Sequence, residues 1–190
     1  MPIIEAIKSR NSNAFMSGED IDPDLIRKIL DAAVCSPVHY MTNPWRFLVI
    51  SGDGRKRLGA VMADHMARGM TDPDSTDNKK LLDKIRKKPF RAPVIIVAGA
   101  AKPIIPKAKM IENVASVTAA CQNILLAASA LGLSAIWRTG GMTYAEDTAG
   151  LLGFEDDTEL VGFIYLGYAS KDMPPKPRPT SEDFTHWLTD

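Results

Sequence analysis

Few side chains in this chain of 190 residues combine a reactive type with a telling spacing. There are three histidines, His39, His65 and His186, and no two stand at metal-ligand spacing, so no catalytic metal is expected. Cys35 and Cys121 form neither a Cys-x-x-Cys pair nor a disulfide framework. Both fall on apolar helical faces, where the plain reading is a small buried hydrophobe and not a nucleophile. Gly52-x-Gly54 follows an apolar run and opens a helix, the context of a dinucleotide fingerprint, but the third glycine would fall at Arg57. A phosphate loop would need lysine after Gly59, where Ala60 stands. No His-Glu-x-x-His, EF-hand loop or Gly-x-Ser-x-Gly occurs. Taken singly, Arg10 reads as a helix C-terminal cap, Arg138 as half of a surface ion pair, His39 as a satisfied surface histidine and Trp137 as a core strand residue.

Hydrophobic periodicity supplies the elements that must position such groups. Residues 2–9 read as a short helix with Ile3, Ile4 and Ile7 on one stripe; residues 10–20 lose periodicity. Asp22-Pro23 opens a stronger helix, with aspartate as N-cap, proline in the first turn and Ile21 placed to staple onto Ile26. Pro37 ends that helix near Cys35. Residues 45–50, 94–98, 133–137 and 160–168 read as strands, and residues 55–69, 79–88, 111–131 and 143–152 as helices. The helix over 111–131 carries Ile111, Val114, Val117, Thr118, Cys121, Leu125, Ala128 and Leu131 on one broad face, and its alanine and serine content predicts burial on nearly all sides. Strict strand–helix alternation is broken, so the order predicts an α+β protein with helices on both faces of a mixed or antiparallel sheet. Residues 1–170 form the expected domain. Residues 171–190 form a Pro-rich arm ending in Phe184, Trp187 and Leu188, which needs a surface on its own domain or on a partner subunit.

Composition narrows the function. Twenty-three basic and 23 acidic residues give a formal net charge of zero, without the basic excess of a nucleic-acid binder. No apolar stretch reaches the roughly 20 residues of a membrane span, and the first residues lack a secretory pattern. With two cysteines, the expectation is a cytoplasmic protein of a reducing compartment.

Three segments in this order and spacing resemble the FMN-dependent nitroreductase family. They are Ser9-Arg10-Asn11-Ser12, the run from Ser36-Pro37-Val38-His39 to Asn43-Pro44-Trp45-Arg46-Phe47, and Gly132-Leu133-Ser134-Ala135-Ile136-Trp137-Arg138-Thr139-Gly140. Ala119-Ala120-Cys121-Gln122-Asn123 before the third segment also fits. The resemblance covers nearly the whole chain and is nearest to the short, YdjA-like subgroup of NAD(P)H nitroreductases. It implies a three-layer α-β-α sandwich that forms a homodimer, with FMN in the dimer interface and the C-terminal arm exchanged between subunits.

Residue by residue, the resemblance assigns Arg10 and Ser12, with Arg138, to the FMN phosphate, for which a guanidinium and a hydroxyl are suited. Asn11 stands where the family often has a second arginine and keeps a side-chain donor. Cys35 and His39 match positions at which the subgroup reaches the flavin, and Trp137 and Thr139 flank Arg138 to line the ring or phosphate. Val38, Met41 and Asn43 depart from the family's usual Ser, Asn and Gln. The implied activity is hydride transfer from NADH or NADPH through FMN to a nitroaromatic, quinone or other small oxidant, in ping-pong turnover. No general acid–base residue is required. The alternative is a protein that binds or handles flavin without nicotinamide-driven turnover.

Overall fold

The computed structural model describes residues 2–174 and 176–189. Met1, at the head of the expected domain, and Pro175 and Asp190, within the expected arm, lie outside the described residues. Four strands, β1 (Trp45–Ser51), β2 (Val94–Ala100), β3 (Ser134–Arg138) and β4 (Glu159–Gly167), form one sheet in the order β1-β2-β4-β3. Every neighbouring pair is antiparallel, so the open choice between a mixed and an antiparallel sheet resolves to the latter. Its registers run from Trp45 opposite Ala100, Val94 opposite Leu166 and Ser134 opposite Gly167. All seven residues of β2 are buried, which explains its unbroken Val-Ile-Ile-Val run: a central strand covered on both faces has no reason to alternate.

Side-chain alternation divides the sheet between two cores. Ile96 and Ala98 of β2, Ile164 and Leu166 of β4 and Ala135 of β3 face α2 (Pro23–Ala33) and α5 (Met110–Ala130). Ile95, Val97, Phe163 and Tyr165 face the other way, toward α3 (Gly54–Arg68). A further small core joins α3, through Ala63, to Leu82 and Ile85 of α4 (Thr76–Arg86).

Local signals set the helix ends. The Asp22 side chain accepts from the Asp24 backbone N–H at 2.8 Å, Pro23 sits in the first turn, and Ile21 and Ile26 are buried in the same core. Glu112 caps α5 by accepting from the Lys109 backbone N–H at 2.9 Å. At the far end of α5, Gly132 takes a left-handed conformation (φ 78°) and Leu133 N–H returns to the Ala128 carbonyl at 2.8 Å.

Two expectations need correction. Ile111 and Thr118 of α5, placed above on the packed face, are exposed, Ile111 at 73%. The single helix expected over 143–152 is two short ones, α6 (Gly141–Tyr144) and α7 (Thr148–Leu152). Between them Ala145 is extended, and Asp147, a weak helix former, turns to pair with Arg68 of α3. The first helix, α1 (Ile3–Ser9), buries only Ala6 and leaves Ile3, Ile4 and Ile7 exposed. Beyond Gly167 the chain pairs briefly with residues 15–17, and the described residues of the arm hold only a helical turn, Ser181–Phe184. Phe184, Trp187 and Leu188 are exposed at 76%, 81% and 85%.

Candidate functional site

At the head of β3, Asn13 fastens the segment after α1. Its backbone N–H donates to the Ala135 carbonyl at 3.2 Å. Its side-chain amide donates to Ser134 Oγ at 3.3 Å and to the Lys171 carbonyl at 2.9 Å. Buried and fully engaged, Asn13 holds the segment carrying Arg10, Asn11 and Ser12 beside this strand end. Asn11 lines a polar cavity of about 190 Å³ together with Ser9, Asn13, Ser129 and Ser134. Ser12 is half-buried.

Arg10 caps α1, its N–H returning to the Ala6 carbonyl at 3.1 Å, so the cap reading and a binding role coexist on one residue. Arg178, from the arm, donates to the Arg10 carbonyl at 2.6 Å and brings a second guanidinium alongside. Burial, and then the charge of Arg178, hold Arg10 below the usual guanidinium value. Among the described residues neither arginine has a carboxylate within ion-pair distance, although nine other ion pairs do form. Two like charges held together without a counter-ion are the arrangement an anion completes. The sequence reading missed Arg178. Its signal was the run Lys176-Pro177-Arg178-Pro179, where prolines on either side restrict the backbone around one cation.

Trp137, Arg138 and Thr139 lie at the other end of β3. Four residue steps at about 3.3 Å place Arg138 roughly 13 Å along the strand from Ser134. Trp137 packs on the α5 side, its indole N–H donating to the Val161 carbonyl at 3.3 Å. Arg138 points to the opposite side, its guanidinium 5.7 Å from the Tyr165 ring centre. Among the described residues no contact joins Arg138 to Arg10 or Ser12; the guanidinium placed beside Arg10 is that of Arg178. Thr139 lines a broad cleft of about 1150 Å³ that Trp137 also lines. β3 is an edge strand. Because the Ala135 carbonyl points outward to Asn13, Trp137, two residues on, turns its own N–H and C=O to the same open side.

Cys35 and His39 form a third group, on the loop after α2. Cys35 is exposed and not a small buried hydrophobe as read above, whereas burial pushes the Cys121 thiol up to about 12. The loop is fastened at Ser36, which donates to the Ala33 carbonyl at 2.8 Å and accepts from Asn123 at 3.0 Å. Thr42 donates to Asn113 at 2.9 Å. Between these anchors Tyr40, Met41 and Asn43 hold positive φ values of 54°, 52° and 45°, stored strain of the kind found at ligand clamps. His39 stacks on Tyr40 at 4.1 Å and sets Nδ1 3.0 Å from Glu112, leaving Nε2 free. The Lys109 backbone N–H, and then His39, hold Glu112 below the usual carboxylate range. Among the described residues no hydrogen bond, ion pair or ring contact joins Cys35 or His39 to either end of β3.

The Nitroreductase family profile matches residues 7–168. A relative from Escherichia coli K12, named "Putative NAD(P)H nitroreductase YdjA", is 33% identical over 167 residues, 88% of each chain. The structure of a nitroreductase-like family protein from Bacillus cereus superimposes with a TM-score of 0.83 at 24% identity, covering 99% of this chain and 96% of that one. A nitroreductase from Bacteroides fragilis with bound FMN gives 0.73 at 20% identity, covering 100% of both. With four antiparallel strands between helical layers, and a profile match spanning everything from α1 to the end of β4, this chain belongs to the nitroreductase family.

Proposed function

We propose that the chain is an FMN-dependent NAD(P)H oxidoreductase. The observation that carries this reading is Arg178 of the arm seated on the Arg10 backbone carbonyl near the head of an edge strand, with no carboxylate within ion-pair distance of either arginine among the described residues. In this reading Arg10, Arg178 and Ser12 hold the phosphate, with Asn11 beside them. The outward backbone of Trp137, with Thr139, borders the ring, and Arg138 lies behind them on the other side of the sheet. Bound FMN supplies hydride transfer in two alternating half-reactions, from NADH or NADPH and then to a nitroaromatic, quinone or other small oxidant. The residues of the chain bind and orient; none of them need gain or lose a proton.

The reading includes a homodimer. The exposed stripe of Ile3, Ile4 and Ile7, exposed Ile111 of α5 and the three uncovered apolar side chains of the arm are surfaces that a second copy would bury. In such a dimer Cys35 and His39, remote from both ends of β3 in their own chain, would serve the partner's site. A cytoplasmic location accords with an exposed free thiol at Cys35. Among the described residues no helix is long and apolar enough to cross a membrane.

The test is a visible spectrum of protein loaded with FMN and desalted, followed by anaerobic addition of NADH and NADPH. Retained flavin that bleaches with either donor is expected. Flavin that is not retained overturns the cofactor assignment, and flavin that is retained but unbleached by both donors overturns the oxidoreductase.

A further inference from the structure

Arg138 does not stand alone on its side of the sheet. It lines a cavity of about 280 Å³ between α3, the helical turn Lys88–Arg91, the end of β3 and the start of α6. Lys88, Arg91 and His65 line the same cavity, and no aspartate or glutamate does. None of the three permanent cations has a carboxylate within ion-pair distance among the described residues. Cations just outside the cavity do: Arg68 pairs with Asp147 and Arg86 with Asp83. Arg138 and Arg91 both bear on the Tyr165 phenol, which burial pushes up and the two guanidiniums pull back.

The rest of the wall is not that of a phosphate nest. Met62, Met66, Met142 and Phe163 supply apolar and polarizable surface, which adapts to a ring or short chain. Thr143, 6% exposed, lines both this cavity and the broad cleft, and its enclosed hydroxyl has no hydrogen-bond partner among the described residues. Gly141 comes so close that a Cβ there would stand 3.2 Å from His65 Nε2. A buried hydroxyl without a partner costs free energy that a ligand atom would recover. Three like charges facing one space repel one another until an anion enters.

We propose that this cavity binds the anionic group of a small organic reactant, a carboxylate or phosphate carried on an apolar or aromatic body. Arg138, Arg91 and Lys88 take the anion, Thr143 offers a hydrogen bond, and the methionine and phenylalanine wall takes the body. The inference deepens the proposed function by naming a substrate class, and rests on that reading only for the consequence. Thr139 lines both this cavity and the cleft at the end of β3, so an anion seated here lies beside the place assigned to the flavin ring. Acidic reactants are then selected over neutral ones of the same shape. The anion belongs either to the oxidant or to the phosphates of the nicotinamide donor.

Calorimetric titration of the purified protein with benzoate and benzamide, equal in shape and different by one charge, tests this without turnover. Benzoate is expected to bind at least about tenfold tighter than benzamide, the size of one charge-assisted contact. Arg91→Gln is expected to weaken benzoate about tenfold and leave benzamide unchanged, and Lys88→Gln repeats the test should the first variant fold poorly. Competition by 2′,5′-ADP assigns the anion to the donor, and its failure to compete assigns it to the oxidant. Equal binding of benzoate and benzamide, or benzoate binding indifferent to both substitutions, overturns the proposal. Absence of bound or reducible flavin, with benzoate discrimination intact, would instead overturn the oxidoreductase reading and leave the anion site standing.

Discussion

Arg178 donates to the Arg10 carbonyl and sets its charge near that of Arg10. In the proposed phosphate site, removing it acts differently on affinity and on stability. Arg178→Ala is expected to weaken FMN about 10- to 100-fold, the loss of one charge-assisted hydrogen bond of about 1.5–3 kcal/mol. The flavin-free variant is expected to melt close to the wild type, because the lost hydrogen bond to the Arg10 carbonyl is offset by the lost repulsion. Fluorescence titration of FMN and thermal denaturation check the two halves, and unchanged affinity would remove Arg178 from the site. Glu112 gives a second residue-scale expectation. Its folded value lies below its unfolded one, so its stabilisation is complete above the usual carboxylate range near 4 and fades as pH falls through the folded value. Glu112→Gln keeps acceptors for the cap but loses the charge. The wild type is therefore expected to outlast this variant near pH 6, with the gap closing as a melting series is carried into acid below the usual carboxylate range. At this scale the sequence was legible where local chemistry acts on its own, as in the Arg10 cap on α1 and the Asp22 cap on α2. It was illegible where a role depends on which side of a strand a residue faces. Strand alternation turns Arg138 away from Trp137, but the sequence reading ended the strand at residue 137, one short of Arg138, where the structure continues it.

Between elements, two glycines mark where backbone must approach closely. Gly162 of β4 has a φ of 154°, and a Cβ there would stand 2.2 Å from the Trp137 indole nitrogen and 2.9 Å from the Arg138 carbonyl. Gly162→Ala is expected to cost about 1–3 kcal/mol by overpacking and to push Trp137 off the Val161 carbonyl. Chemical denaturation and a shifted tryptophan emission check it; an unchanged midpoint would mean that β3 adjusts freely. Gly59 of α3 does the same for α4, where a Cβ would stand 2.2 Å from the Arg86 carbonyl. The four strands were legible to within two residues at each end because β-branched runs bounded by turns admit little else. The 143–152 region was not: the chain is extended at Ala145, and Asp147 beyond it pairs with Arg68 of α3, 79 positions away in sequence. Long-range partners of that kind leave no local trace.

At the scale of the whole molecule, large apolar side chains stand exposed on α1, on α5 and on the arm. The stripe on α1 was visible in the sequence as a periodicity, yet its exposure was not, since periodicity shows that a face is apolar and not what covers it. The arm posed the same question, and its one described anchor, Arg178 on Arg10, is polar.

That anchor links residues 168 positions apart, so under the proposed function an anion bound by the two arginines would act as a removable clasp between the first helix and the arm. A ligand that binds only the native state raises stability in proportion to the logarithm of its concentration, and here the first region to feel that tension is the arm. Limited proteolysis is expected to cut between residues 176 and 189 promptly in flavin-free protein and at least about tenfold more slowly at saturation. Equal rates would show that the arm is held by something else. If the proposed cofactor site is occupied in this way, cofactor occupancy would be written on the outside of the molecule. A chain without cofactor would offer a loose end to degradation, and the surviving population would be enriched in loaded protein without any separate sensor.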